Sequence, residues 1–71
     1  MKLEELLTYV STGQMIRVIM LNDDGEETGQ TLEFENDKIY LRKPNIRNIL
    51  GNMIESVSST EDDYLRIEVY E

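Results

Sequence analysis

The chain contains no cysteine and no histidine. Without cysteine it cannot form disulfides, and without either residue it lacks the usual ligands of a structural zinc ion. The same two absences remove the commonest general base and the strongest nucleophile from any reaction at its surface. Because 71 residues hold material for only one core, we expect a single domain over residues 1–71 and no enzymatic activity.

Long apolar runs are also absent, so no segment has the length needed to span a bilayer. The N-terminus places Glu4 and Glu5 just beyond Lys2 and Leu3, unlike the order of a secretory signal. We therefore expect a cytoplasmic protein with no membrane partner. Residues 20–31 superficially resemble a calcium loop, but Met20 and Thr31 occupy the positions of its charged anchors. The sequence predicts no metal site and no cofactor.

Hydrophobic periodicity predicts seven elements. Leu3, Leu6, Leu7 and Val10 are spaced to line one side of a helix, whereas the run that follows Gln14 is rich in β-branched residues. The predicted segments are a helix over 2–10, strands over 14–21, 28–35 and 38–42, a short helix from 45, and strands over 54–59 and 64–70.

These elements predict an α+β fold of order α-β-β-β-α-β-β, with a curved antiparallel sheet of about five strands and both helices on one face. A small SH3-like barrel with a leading helix is the alternative. Gly25 is expected to supply positive φ in a turn, and Gly29 to mark a bulge. Pro44 is expected to end the third strand, in which Ile39 and Leu41 would face the core. The second helix would place Ile46, Ile49, Leu50 and Met53 at helical spacing, and a loop that inserts the same side chains into the core is the alternative.

Basic residues are scarce and clustered: the formal net charge is -8, yet residues 38–47 contain four cations and no acid. A patch for an anionic partner is one interpretation, in which Tyr40 would offer a stacking surface for nucleic acid. The interpretation that we favour places the cations across the sheet from Glu33, Glu35, Glu55 and Glu68, where they relieve repulsion between acids. The candidate patch is Lys38, Tyr40, Arg42, Lys43 and Arg47.

Acidic residues concentrate in two predicted hairpin turns, which we interpret as solvated. If both turns lie at one end of the sheet, they could bind a hard cation weakly. A separate alternative is that this acidic surface mimics nucleic acid and blocks a DNA-binding defence enzyme. The acidic surface consists of Asp23, Asp24, Glu26, Glu27, Glu61, Asp62 and Asp63.

The first predicted strand carries apolar residues on both of its faces, from Met15 to Leu21. A strand of this kind is usually covered on both sides. Either a partner, including a second copy in a homodimer, covers the outer face, or long side chains such as Arg17 flank it. The sequence leaves these two alternatives open.

Several segments carry a resemblance to other proteins. They are Leu3-Glu4-Glu5-Leu6-Leu7, Ile16-Arg17-Val18-Ile19, Asp24-Gly25-Glu26, Ile54-Glu55-Ser56-Val57-Ser58 and the run from Asp62 to Val69. In this pattern the chain resembles small uncharacterised domains of phages, conjugative elements and their Gram-positive hosts. The resemblance implies a mobile-element setting and a compact α+β fold, and it transfers no active site. The basic stretch from Lys38 to Arg47 departs from it, because it is longer and more basic than the corresponding connection.

The leading functional hypothesis is therefore a non-enzymatic protein-interaction module, an accessory protein of a mobile element whose partner is another protein. The acidic nucleic-acid mimic is the second hypothesis. Direct, weak nucleic-acid binding through residues 38–47 is the third, and we do not expect nucleic acid to be the partner because four cations against fifteen acids cannot build a long electropositive track.

Overall fold

The computed structural model describes all 71 residues. It confirms the α+β class, with four strands in one sheet of order β2-β1-β4-β3 rather than the predicted five. The elements are α1 (Leu3–Leu7), β1 (Met15–Leu21), β2 (Glu27–Glu35), a 3₁₀ helix (Lys38–Arg42), α2 (Pro44–Arg47), β3 (Ile54–Ser59) and β4 (Leu65–Tyr70). No helix has the length and apolar character of a membrane span.

The sheet is open and mixed, so the predictions of a purely antiparallel sheet and of an SH3-like barrel are both wrong. β1 and β2 form one antiparallel hairpin and β3 and β4 form another. The two hairpins join through a parallel pairing of β1 with β4 at the centre of the sheet. The 18 residues between β2 and β3 make this possible, because a parallel pair needs a crossover of a dozen or more residues.

One face of the sheet carries the core, because alternate residues of a strand point to the same side. Ile16, Val18, Ile67 and Val69 from the two central strands have no exposed surface. Phe34 joins them from β2, and the two helices cover this face. The residues that pack on it are Leu3 and Leu7 of α1, Ile46 of α2, and Leu50 in the turn that follows α2. The predicted inward face of β4 is thereby confirmed.

The opposite face has no helix over it, yet the apolar residues of β1 on that side are covered. Ile19 and Leu21 alternate with the core residues and are only 7% and 1% exposed. Neighbouring side chains of the same chain therefore bury them. Their burial within one chain agrees with the alternative in which the chain's own side chains flank the strand, and the homodimer stays a prediction.

The third predicted strand is wrong, because residues Lys38–Arg42 form a 3₁₀ helix. Asp37 begins this helix, and its side chain accepts a hydrogen bond from the backbone N–H of Ile39. Tyr40 is the residue that turns towards the core, so Ile39 and Leu41 point outwards and are 55% and 45% exposed. Alternate residues of this segment do point to opposite sides, but Ile39 and Leu41, which were predicted to face the core, face outwards.

The second helix exists but is shorter than its apolar spacing indicates. Pro44 is its first residue, a position that tolerates proline because the first N–H of a helix has no intrahelical partner. Ile46 and Leu50 are buried, as predicted, whereas Met53 is 50% exposed. Met53 follows the helix and pairs with Lys2 in an isolated bridge, so the prediction that it continues the helical stripe is wrong.

Two glycines have the backbone geometry that the sequence predicts. Gly25 has φ of 80° in the turn between β1 and β2. Gly29 has φ of 89° and lies where the pairing register shifts between Ile19 and Leu21, which confirms the bulge. Both positions lie in the left-handed region that glycine adopts at low cost.

Candidate functional site

The four clustered cations are exposed, and none lies within 4.0 Å of a carboxylate. The interpretation that they compensate the acids of the sheet is therefore wrong. Arg17 and Arg66 take that role instead, pairing with Glu33 at 2.8 Å and with Glu68 at 3.4 Å, respectively. The reason is topological: residues 38–42 leave the sheet as a 3₁₀ helix, so their side chains do not lie opposite its glutamates.

The helical turns bring these cations together with exposed aliphatic side chains. Lys38, Ile39 and Arg42 line one shallow depression of about 280 Å³, together with Asp37. The guanidinium of Arg47 donates to the backbone carbonyl of Leu41 at 3.5 Å, which connects α2 to the 3₁₀ helix. Lys43 joins the two helices in sequence. We define the basic apolar surface as Lys38, Ile39, Leu41, Arg42, Lys43 and Arg47.

Tyr40 belongs to the core rather than to this surface. Its ring packs edge-to-face on Phe34, with 5.6 Å between centroids and an interplanar angle of 65°. The prediction that Tyr40 presents a stacking surface beside the cations is therefore not supported. Ile39 and Leu41 are the surface residues that sequence reasoning missed, because their alternation was interpreted as the buried face of a strand.

A second concavity borders the basic apolar surface. It is a groove of about 390 Å³ between the C-terminal end of α1 and the 3₁₀ helix. Its lining residues are Leu7, Thr8, Val10, Thr12, Asn36, Asp37, Lys38 and Tyr40. Lys38 and Asp37 line this groove and the shallow depression alike, so the two concavities are neighbours on one surface.

Asn36 holds the walls of the groove together. It is only 7% exposed, and its side-chain amide donates to the carbonyls of Leu7, Val10 and Ser11 at 3.2, 2.9 and 3.3 Å. These are carbonyls at and beyond the end of α1, which the helix itself cannot satisfy. Its backbone also bonds to Gly13 and Gln14. No pattern in the sequence distinguishes this asparagine from one in an ordinary turn.

The open face of the sheet is organised by Arg17. Its guanidinium bonds to Glu33 of β2 and to Asp62 of the β3–β4 turn, both at 2.8 Å, and lies 4.4 Å from the ring centre of Tyr64. The hydroxyl of Thr60 and the guanidinium of Arg17 lower the pKa of Asp62 to about 2. The hydrogen bonds that Arg17 donates to Asp62 and Glu33 raise the pKa of its guanidinium. The positive charge of Arg17 is therefore paired with acids of the same chain.

A hydrogen bond to Glu55 similarly engages Tyr70 on the last strand and raises the pKa of its hydroxyl. Ser56 bonds to Glu68 beside it. The hydroxyls of Ser56 and Tyr70 thus donate to carboxylates of the sheet itself.

The two acidic turns lie at opposite ends of the sheet. Because β1 and β4 run parallel, the turn that follows β1 and the turn that precedes β4 point in opposite directions. The idea that both turns share one end and hold a cation is therefore wrong, and no three acidic side chains are grouped as a metal site requires. In the first turn, the side-chain oxygen of Asn22 accepts from the N–H groups of Asp24 and Glu26.

The seven acids of the predicted acidic surface consequently do not form one face. Asp62 is also already bonded to Arg17. Residues 38–47 contribute +4 to a net charge of -8, so the other 61 residues carry -12. The molecule is thus strongly polarised, with one cationic surface on an otherwise anionic protein.

No protein-family model, curated protein sequence or solved structure matches this chain. The functional proposal therefore depends on the residues and geometry described above.

Proposed function

We propose that the protein is a non-enzymatic, cytoplasmic interaction module that docks onto an acidic region of another protein through its basic apolar surface. The observation that carries this proposal is the exposure of four cations without an acidic partner, grouped around the exposed side chains of Ile39 and Leu41. Among the cations of this surface, only Arg47 forms a side-chain hydrogen bond within the fold, to the carbonyl of Leu41.

Both the aliphatic side chains and the cations of the basic apolar surface support a protein partner. Ile39 and Leu41 each have about half of their surface left to bury, which is worth about 1 kcal/mol per side chain. The cations add complementarity to an acidic partner and accelerate its association, because unpaired charges at the rim of an interface steer encounter. Acidic proteins without apolar residues at the interface would gain only the electrostatic part.

Nucleic acid fits this surface less well. Tyr40, the only aromatic residue in the stretch, is half-buried and packs edge-to-face on Phe34, so less of its ring is left for a base to stack on. The formal charge of -12 over the rest of the chain repels a phosphate backbone that extends beyond four cations. The exposed aliphatic side chains of Ile39 and Leu41 favour an apolar protein contact instead.

Affinity capture from the source cell with mass spectrometry, repeated with charge-reversed bait, tests the proposal. Arg42→Glu lies in the basic apolar surface, and Lys2→Glu makes the same change of charge at an exposed lysine outside it. We expect a partner that is retained by wild type and by Lys2→Glu and is lost with Arg42→Glu. Its affinity for purified Arg42→Glu should fall at least about tenfold, or roughly 1.4 kcal/mol.

Equal capture by the three baits, or recovery of the bait alone, would refute the proposal. A mobility shift of DNA or RNA at micromolar protein and low salt would instead support the nucleic-acid alternative. The mobile-element setting stays a prediction, and the genes that neighbour this one test it.

A further inference from the structure

We infer that the groove between α1 and the 3₁₀ helix receives an apolar side chain from the acidic segment that docks on the basic apolar surface. The inference rests on the proposed function, because it assigns the chemistry of that partner. The recognised segment would carry one large aliphatic or aromatic residue with carboxylates close to it in sequence.

The floor of the groove is apolar. Leu7 and Val10 contribute aliphatic surface and Tyr40 contributes its ring, while Thr8 and Thr12 lie on the rim. With a volume of about 390 Å³, the groove falls near the lower end of the range found for sites that bind small ligands. It is open on one side, as a site for a side chain of another polypeptide must be.

The buried side-chain polar atoms of the groove are already satisfied. The buried amide of Asn36 bonds to three carbonyls, and no buried side-chain nitrogen or oxygen in the protein lacks a hydrogen-bond partner. A polar ligand group would therefore find no unpaired buried donor or acceptor at the floor. Burial of an apolar group, in contrast, gains free energy without leaving a polar atom unpaired.

The cations next to the groove indicate that the docked segment carries acidic residues beside its apolar residue. Lys38 lies between the groove and the depression that Arg42 also lines, and neither cation has an acidic partner. Asp37 is the one nearby acid, and its carboxylate is used to begin the 3₁₀ helix. An apolar residue in the groove would thus place neighbouring carboxylates of its own segment beside Lys38 and Arg42.

A synthetic peptide titrated into the ¹⁵N-labelled protein tests this inference. The probe is a short, end-blocked peptide with a single leucine flanked by aspartates and separated from its ends by serines. We expect chemical-shift changes concentrated at residues 7–12 and 36–42. Replacing the leucine of the probe by serine should weaken binding about tenfold.

A protein variant provides the second arm. Thr12→Trp fills the groove from its exposed rim without changing charge, and Thr31→Trp places the same side chain at an exposed position of β2 outside the groove. We expect Thr12→Trp to bind the probe at least about tenfold more weakly than Thr31→Trp does. Spectra of both variants report whether the fold is retained.

Shift changes confined to the basic residues, with equal binding of the leucine and serine peptides, would overturn the groove assignment. A leucine peptide that causes no shifts at millimolar concentration would overturn it as well. In either case the captured partner can still depend on Arg42, so the groove inference and the proposed function fail separately. Stronger shifts with a single-stranded oligonucleotide than with the peptide would refute both.

Discussion

Asn36→Ala is expected to destabilise the protein far more than a substitution of a turn residue normally does. The variant removes an amide that donates to three carbonyls at 2.9–3.3 Å, in a position that is only 7% exposed. An unsatisfied buried polar group costs about 1–3 kcal/mol. Since more than one carbonyl loses its donor, we expect a loss of about 2–3 kcal/mol, a large part of the roughly 4–10 kcal/mol typical of a domain of this size.

The free energy of unfolding is best measured by urea denaturation followed by far-ultraviolet circular dichroism, because the chain has no tryptophan. Asn45→Ala is the matched control, since Asn45 is exposed and surface substitutions usually change stability by less than about 0.5 kcal/mol. Equal stability of the Asn36 and Asn45 variants would refute the assignment of Asn36 as the residue that holds the end of α1 against the segment after β2.

The pH dependence of the stability of Asn36→Asp tests the same assignment of Asn36. At neutral pH the variant aims a carboxylate at three carbonyl oxygens, so it should be less stable than Asn36→Ala. Burial and the carbonyl dipoles would raise the pKa of the introduced carboxyl in the folded state. Stability is then regained as pH falls from this raised pKa towards about 4, because the protonated carboxyl can donate one hydrogen bond. A deficit relative to wild type that does not shrink over this interval would contradict the orientation of the amide.

Three further predictions concern other parts of the fold. Asp62→Asn should lower the free energy of unfolding by a constant amount at neutral pH. Because folding lowers the pKa of Asp62 from 3.8 to about 2, the stabilisation by its carboxylate is fully present above pH 3.8 and is lost as pH falls towards about 2. Urea denaturation curves of wild type and variant should therefore converge over that pH interval. Ile67→Ala, at a central position with no exposed surface, should cost about 2–5 kcal/mol in urea denaturation, and a loss below about 1 kcal/mol would place Ile67 outside the core. Gly25→Ala forces a side chain into φ of 80° and should cost about 1 kcal/mol, whereas Gly51→Ala, at ordinary φ with open space around it, should show no comparable loss in thermal unfolding.

Local pattern was sufficient for most elements of the fold. The strand from Met15 to Leu21 and the final hairpin were predicted because their apolar spacing extends over six or seven residues and because glycine and acidic residues mark their turns. The segment 38–42 is only five residues long, and apolar residues at alternate positions fit a short strand as well as a 3₁₀ helix. The structure decides between them through Asn36, whose bonds to the end of α1 take the chain out of the sheet.

The candidate site was predictable in composition but not in organisation. Clustering of the four cations is visible in the sequence, whereas their lack of acidic partners depends on which strands become neighbours. Parallel pairing of β1 with β4 is a long-range feature that no local pattern specifies. It brings Asp62 to Arg17 of β1 and Arg66 to Glu27 of β2, and it sends the two acidic turns to opposite ends.

The central position of β4 also constrains how the chain acquires its structure. Ile16 and Leu65, which pair in the completed sheet, are 49 positions apart, and closing so long a loop is slow compared with forming a hairpin. During synthesis on a ribosome, β1 and β2 emerge first, and the edge of β1 that later pairs with β4 stays unpaired until β4 is synthesised. An early hairpin with such an edge is a natural substrate for aggregation or for chaperones. The acidic residues of its turn and of β2 would then keep the nascent chain dispersed during this interval, before any partner is met.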